Sequence, residues 1–466
     1  KCLKEVNIMN AKQHESHDTK ALQELDKQSY MHPFTDSKAM HEKGTRIITS
    51  ADGCYIYDSE GGKTLDGMAG LWCVNIGYGR DELADVAAKQ MRELPYYNSF
   101  FGTAHPPVIK LAAQLKRLAP DNISHVFFTG SGSESNDTNV RMVRHYWQAK
   151  GQPTKRTIIS RDNAYHGSTM ASMSLGGMKG MHAQGGIIDG IEHIMQPHWY
   201  HEALAGETAD EFGLRAAQAL ETKILECGAD NVGAFIGEPV QGAGAVIVPP
   251  ATYWPEIQRI CKKYDILLIA DEVITGFGRT GNWFASETLG IKADLITIAK
   301  GLSSGYIPIG GVLISERVAK VVIEGGEFAH GYTYSGHPVA AAVASANLSI
   351  IEDEGMIGQV RDETGPYLQK RLEELLDHPL VGQVRGIGLM AAVELVQDKE
   401  SHTNYPKEVG IGGICRDYAL ANGLVMRAVG ESMIMCPPLI ISKLEIDELI
   451  EIIKKSLDQT LTQVEG

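Results

Sequence analysis

No two of the seven cysteines (Cys2, Cys54, Cys73, Cys227, Cys261, Cys415, Cys436) form a CxxC pair, and their number is odd. That argues against a disulfide framework or a cysteine-built zinc site, and no metal site is expected. Scattered reduced thiols fit a cytoplasmic setting instead. Positive charge is short as well. Lys and Arg number 43 against 58 Asp and Glu, a net charge of −15. Nucleic acid is held by basic surface, so no nucleic acid partner is expected. No apolar run approaches the roughly 20 residues a membrane-spanning helix needs, so no membrane partner is expected either. The N-terminus, with His14, Glu15, His17 and Asp18, lacks the apolar centre of a signal peptide. Internal repeats and low-complexity tracts are absent.

What remains is the composition of a soluble globular chain, 43% hydrophobic and 22% charged over 466 residues. That length is more than one core usually takes, and two domains are expected. Residues 1–30 read as a polar N-terminal arm and 31–67 as the first part of a small domain. Residues 68–338 read as a large domain and 339–466 as the C-terminal remainder of the small one. Ile47 to Tyr57, with a turn at Ser59 to Gly62, has the alternation of an antiparallel meander. Amphipathic helices are predicted from Asp81 to Leu94 and from Pro107 to Leu118. From Val126 onward, apolar strand-like runs at 126–128, 157–159, 234–236, 266–270, 295–299 and 312–314 alternate with helical stretches at 135–150, 210–227 and 254–263. That alternation predicts an α/β fold with a mostly parallel sheet. An Ala-rich helix from Pro338 leads out of it. Val384 to Leu395, Leu424 to Met426 and Met433 to Met435 are strand-like, and Leu444 to Leu457 reads as a closing helix.

The stretch from Ile266 to Gly301 concentrates the chemistry. Two buried strands end in Asp271 and in Lys300. In open α/β sheets, ligands bind at the carboxyl ends of the strands. A lysine there loses solvent, its pKa falls, and its neutral amine can attack a carbonyl. An aspartate nearby can hold the protonated ring nitrogen of pyridoxal phosphate. Taken alone, the two residues read better as an ordinary ion pair at the sheet edge. Thr129 to Glu134, between a strand and a helix, offers glycines and the hydroxyls of Ser131 and Ser133 to a phosphate. It matches neither the dinucleotide fingerprint nor the P-loop. Tyr165-His166-Gly167 puts an aromatic ring at another strand end, where it can stack on a flat ring or merely sit in a wet loop. Glu238 closes a further strand and suits either a bound group or a neighbouring arginine. Arg427 suits a carboxylate, though a lone arginine is most often a surface residue. Trp72, Tyr96, Tyr97, Phe100 and Phe101 form an aromatic region in which core packing accounts for some members.

In order along the chain, GSGSE at 130–134, YHG at 165–167, EPVQG at 238–242, ADEVITGFGRTG at 270–281, IAKG at 298–301 and TYSGHP at 333–338 resemble the class III aminotransferases of the type I fold. The resemblance covers about Pro33 to Leu457. LWCVNIGYGR at 71–80, SLGGMKG at 174–180 and VMRAVG at 425–430 are similar to the ω-amine:pyruvate branch, and within it to putrescine–pyruvate-type enzymes. The resemblance implies pyridoxal 5′-phosphate as cofactor and a large, seven-stranded-type sheet domain that binds it. Lys300 would carry the cofactor and move the proton, Asp271 would pair with its ring nitrogen, and Val273 and Tyr165 would enclose the ring. Ser131, Gly132 and Ser133, with Thr333 of the partner subunit, would bind the phosphate, and His166 and Glu238 would complete the cofactor site. Phe34, Trp72 and Tyr165, with Phe100 or Phe101 of the partner subunit, would shape the substrate pocket. Arg427 would take the keto-acid carboxylate and swing away for an amine that lacks one.

The implied reaction transfers an amino group from a primary amine or diamine to pyruvate, in a homodimer or dimer of dimers with shared sites. One departure stands out. Ornithine-type members carry Gln after the DE-(Ile/Val) motif, where this chain has Ile274. That argues against ornithine or 4-aminobutyrate as donor and leaves the partner of the cofactor's O3′ unassigned. A β-alanine or taurine transaminase, and a mutase or decarboxylase using the same cofactor, are the alternatives within the fold. A nucleotide-binding oxidoreductase, argued from the Gly-rich turn, and a non-catalytic binding protein lie outside it.

Overall fold

The computed structural model describes residues 17–465. Residues 1–16 of the expected arm, with Cys2, His14 and Glu15, lie outside the described residues. The meander forms as β1 (Ile48–Asp52), β2 (Tyr55–Asp58) and β3 (Lys63–Asp66), paired antiparallel. The large sheet takes β4 (Ile123–Thr129), β5 (Thr157–Arg161), β6 (Ile191–Ile194), β7 (Val232–Gly237), β8 (Leu267–Asp271), β9 (Leu295–Ile298) and β10 (Gly310–Ser315). Their order is β4-β10-β9-β8-β7-β5-β6. β10 runs antiparallel to both neighbours, and the other contacts are parallel. The mostly parallel α/β sheet read from the alternation is thus the observed one. β6 was not anticipated. Its four residues, Ile-Glu-His-Ile, are too few and too polar to signal a strand.

The sheet is buried on both faces, which is why its strands read as continuous apolar runs. Period 2 still sorts the side chains. Leu267, Ile269, Leu295 and Val312 pack with Val140, Val143 and Trp147 of the helix Gly132–Ala149. Leu268, Ala270, Ile296 and Leu313 face the other way, into the cluster that holds Phe212, Trp254, Ile257 and Val339. The helix Tyr253–Lys263 presents Tyr253, Trp254, Ile257, Ile260 and Cys261 as one buried stripe at helical spacing. Because six strands share a direction, Thr129, Arg161, Ile194, Gly237, Asp271 and Ile298 all finish at one edge.

The C-terminal part adds β11 (Val381–Ile387), β12 (Met390–Leu395), β13 (Leu424–Val425), β14 (Arg427–Val429) and β15 (Ser432–Met435). Four of these make a sheet of order β11-β12-β15-β14, while β13 pairs parallel with β3 of the meander. Two expectations are corrected here. The run from Val384 to Leu395 is a hairpin rather than one strand. Gly388 turns it at φ +56°, where an added Cβ would lie 2.4 Å from the Arg279 carbonyl oxygen. The strand-like run Leu424 to Met426 stops at Val425, and Arg427 opens a separate strand, β14, held in register by β15 opposite Ile434.

Candidate active site

A cavity of about 350 Å³ opens at the shared strand edge. Its wall is built from segments that each leave a different strand: 130–133 after β4, 165–167 after β5, Glu238 after β7, 271–274 after β8 and 299–309 between β9 and β10. It brings together Ser131, Gly132, Ser133, Tyr165, His166, Glu238, Asp271, Val273 and Lys300, every expected cofactor-binding residue except Thr333.

Lys300 follows β9 in a single 3₁₀ turn and takes φ +47°, a conformation an L-residue adopts at a cost of about 1–3 kcal/mol. Burial lowers its pKa from the ordinary lysine value. The nearby Cys73, Asp271 and Glu238 work in the opposite direction without overcoming it. The neutral amine that a nucleophile or base requires is therefore easier to reach here than in a solvated lysine.

Asp271 is the best-anchored group in the site. Its Oδ2 accepts from His166 Nδ1 at 2.7 Å and from Asn136 Nδ2 at 2.8 Å, and its Oδ1 accepts the Val273 N–H at 3.1 Å. A carboxylate has about four acceptor sites, so one remains, on Oδ1, for a donor in the cavity. Asn136 is itself held. Its Oδ1 accepts from Thr297 Oγ1 at 2.9 Å and Asn139 Nδ2 at 3.0 Å, and its Nδ2 also reaches the His166 carbonyl at 2.8 Å. Asn136 was missed in the sequence, although it lies one turn after Ser133 on the same helix face. Glu272, next to Asp271, points elsewhere. Its carboxylate accepts the Ala285 and Ser286 N–H groups and the Thr275 hydroxyl.

The phosphate-like corner is the start of the helix Gly132–Ala149. The Ser131 hydroxyl caps the Glu134 N–H, and the Ser131 carbonyl takes the Ser135 N–H. The N–H groups of Gly132 and Ser133, first in the helix, have no partner within it. A Cβ on Gly132 would stand 3.1 Å from Val273 Cγ2, so glycine lets the two walls close on each other. At Gly167 (φ +136°) a Cβ would lie 2.5 Å from Ser133 Oγ, and only glycine lets the Ser168 N–H reach that oxygen at 3.0 Å.

Glu238 is buried and serves the backbone. It accepts the Tyr165 N–H at 3.2 Å and the Gly242 N–H at 2.9 Å, while Arg161 donates to its carbonyl rather than its carboxylate. Burial raises its pKa. The Tyr165 ring stands 6.4 Å from that of Phe34, which is 76% exposed. Arg427 is half-buried near Tyr165. Burial lowers its pKa, and among the described residues no hydrogen bond or ion pair holds its guanidinium.

Six expected residues do not line this cavity: Phe34 and Arg427, described above, and Thr333, Phe100, Phe101 and Trp72. Thr333 is exposed, its carbonyl accepting from Tyr96 Oη at 2.8 Å. Phe100 lines a separate hollow with His330 and Gly331, and Phe101 is 97% exposed. Trp72 is buried behind the wall, in a cluster with Met68, Val240 and Ile274, of which Ile274 reaches the cavity. Cys73, Ser303, Gly305 and Ile307 to Ile309 complete the lining and were not foreseen.

The family described as aminotransferase class-III matches residues 37–457. Putrescine–pyruvate aminotransferase of Pseudomonas aeruginosa is 58% identical over 458 residues, covering 98% of this chain and 99% of that protein. Gamma aminobutyrate transaminase 1 of Solanum lycopersicum is 42% identical, covering 93% and 85%. Among solved structures, the ω-transaminase of Pseudomonas jessenii in complex with PMP superimposes with a TM-score of 0.93 at 44% identity, over 95% of this chain and 99% of that one.

Proposed function

The chain belongs to the class III aminotransferases, and on that premise we propose that it transfers the amino group of a primary amine or diamine, of which putrescine is one, to pyruvate. The products are an aldehyde or ketone and alanine. The cofactor is pyridoxal 5′-phosphate, which supplies an electron sink for the substrate carbon and carries the amino group from one half-reaction to the next. Membership of the family sets aside the nucleotide-binding oxidoreductase.

The residues present fit that cofactor. The one acceptor position left on Asp271 suits a protonated ring nitrogen, and the amine of Lys300 suits its carbonyl carbon. The Gly132–Val273 cradle suits a flat ring, and the free N–H groups of Gly132 and Ser133 with the Ser133 hydroxyl suit its phosphate. Lys300 Nζ takes the proton from the amine-bearing carbon. Asp271, fixed by His166 and Asn136, keeps the ring nitrogen protonated. Glu238 holds the Tyr165 backbone in place and so sets the ring that stacks opposite Val273. Arg427 takes the pyruvate carboxylate. Phe34 borders the amine side, and Trp72 shapes it from behind by backing Ile274.

The same reading assigns Thr333, Phe100 and Phe101 to the cavity of a partner subunit, in a homodimer or dimer of dimers. The exposure of Thr333 and Phe101, and the absence of all three from the cavity lining of their own chain, support it. It also divides the chain at 67/68 and 338/339, supported by the pairing of β13 with β3. The six described cysteines are free, which supports a cytoplasmic setting. No helix among the described residues is long and apolar enough to cross a membrane.

The observation that carries the proposal is a desolvated Lys300 and a triply anchored Asp271 on one cavity, in a chain so similar to a putrescine–pyruvate enzyme. The test is a donor panel of putrescine, cadaverine, spermidine, 4-aminobutyrate, β-alanine and taurine against pyruvate and 2-oxoglutarate, with alanine and glutamate quantified. Alanine formed fastest from putrescine or another amine without a carboxylate is the expected result. Fastest turnover with 4-aminobutyrate, β-alanine or taurine, or with 2-oxoglutarate as acceptor, would replace it.

A further inference from the structure

Beyond the cavity, one cluster of ligating side chains has no role in the reaction described. The short helical turn Trp199–Glu202 follows β6 at the strand-end edge of the large sheet. His198 and His201, three residues apart, project from it on one side. Glu394 of β12 faces them from the C-terminal sheet. His201 Nε2 lies 2.8 Å from Glu394 Oε1, and the two imidazole rings are 4.7 Å apart. One ligand atom from each of the three residues falls within 4.8 Å of the others.

His198 is the telling member. It is 7% exposed, and its Nε2 is buried with no hydrogen-bond partner among the described residues. A buried polar nitrogen left unpaired is rare and calls for a ligand or an explanation. Here it stands beside a second imidazole and a carboxylate.

We propose that His198, His201 and Glu394 bind a divalent transition metal, zinc in the first instance, which ties the turn after β6 to the C-terminal sheet. Two imidazoles and a carboxylate are a ligand set zinc accepts at about 2.0–2.2 Å, with water in the fourth position. Drawing the three atoms to the tetrahedral spacing of about 3.3 Å that those bond lengths give is a small rearrangement of exposed His201 and the short turn. The metal takes the place of the hydrogen bond between His201 Nε2 and Glu394 Oε1, the ring keeping its one N–H on Nδ1.

The outer partners are already in position. Glu394 Oε2 is held by Arg385 Nη1 at 2.7 Å and by the Ser432 hydroxyl, which orients the carboxylate. Arg385 in turn donates to the Ala245 carbonyl at 2.7 Å and the Val246 carbonyl at 3.2 Å, in the loop that continues from Glu238. Its charge opposes the incoming cation, and Glu394 offsets it. None of the three ligands lines the reaction cavity, so the metal braces the fold and leaves the chemistry alone.

The holoenzyme, treated with EDTA and desalted, is titrated with zinc sulfate by calorimetry and followed by thermal unfolding. About one zinc per chain should bind and raise Tm. His198→Ala and His198→Gln should each weaken binding at least about 10-fold and abolish the rise in Tm, with transamination rates unchanged. His182→Ala, in a second histidine pair whose rings are 5.3 Å apart, should change neither. Wild-type protein that takes up no zinc overturns the proposal before any variant is made. Uptake unchanged in both His198 variants, or reduced equally by His182→Ala, also overturns it. Should a variant fail to fold, cobalt(II) chloride added to the wild type decides. An intense visible band of four-coordinate cobalt supports the site, and the weak spectrum of hexaaqua cobalt refutes it.

Discussion

Replacing Arg427 by alanine should separate the two halves of the reaction. The guanidinium is half-buried with no hydrogen bond or ion pair among the described residues, and burial already lowers its pKa. Removing it from the free enzyme breaks no pair, so Tm should move by no more than about 2 °C. The loss appears only when a carboxylate enters. A hydrogen bond to a charged group is worth about 1.5–3 kcal/mol, so kcat/KM for pyruvate should fall about 10- to 150-fold. The amine half-reaction should stay within about threefold, because an amine without a carboxylate draws nothing from that charge. Arg427→Lys, which keeps the charge and loses the fork, should fall between. β14 is pinned to β15 at Arg427–Ile434, Ala428–Met433 and Val429–Ser432, so any swing belongs to the side chain alone. Single-turnover absorbance of the cofactor follows each half separately, first with putrescine and then, from the aminated enzyme, with pyruvate. Equal losses in both halves would refute the reasoning. So would a fall in Tm of more than about 5 °C with rates per folded site unchanged, since that describes an arginine bracing the strand.

Asp271→Asn should cost turnover about 10²- to 10³-fold with KM for the amine little changed, and should also lower Tm, because in either orientation the amide turns a donor toward a donor, His166 Nδ1 and Asn136 Nδ2 together or the Val273 N–H. A change in KM alone would make the residue a structural one. The buried Lys300 predicts a pH slope in the apoenzyme. With its folded pKa below the ordinary 10.5, the unfolded chain binds the extra proton between the two values. The lysine's contribution to stability is then complete above 10.5 and falls away as pH drops to the folded pKa. Lys300→Met apoenzyme should therefore melt higher than wild-type apoenzyme at pH 7, with the gap closing toward pH 10.5; a gap independent of pH would contradict the sign. Mixing Lys300→Ala with Thr333→Ala subunits should restore part of the activity, since one site of each heterodimer keeps both residues. No recovery, once subunit exchange is demonstrated by mass, would place Thr333 outside a shared site.

How much of this was legible depended on whether a feature stayed local in the chain. A buried parallel strand announces itself as an apolar run, and the residues that matter most sit at its end or within five positions beyond it. Asp271, Lys300, Ser131 to Ser133, Tyr165, His166 and Glu238 could therefore be placed on one edge before any coordinates, and the cavity wall contains all of them. Arg427 illustrates the limit of that logic: its approach to Tyr165 depends on how the β14–β15 pair packs over the large sheet, which no spacing encodes. β6 was silent because four residues with two polar ones carry no period. The Val384 to Leu395 hairpin was silent because a single Gly388 interrupts an otherwise continuous pattern. Asn136 marks the most instructive miss. It looked like one more polar residue on an amphipathic helix, yet it is fully buried and joins Asp271 to Thr297 and Asn139. Buried polar residues of this kind are what local periodicity misreads, because a period separates inside from outside only when polarity and burial agree. The His198, His201 and Glu394 cluster fails the same test more severely, with 193 residues between His201 and its carboxylate. Chemistry mounted on strand ends is read from sequence because the strand carries it there; chemistry assembled across two sheets exists only once the sheets have docked.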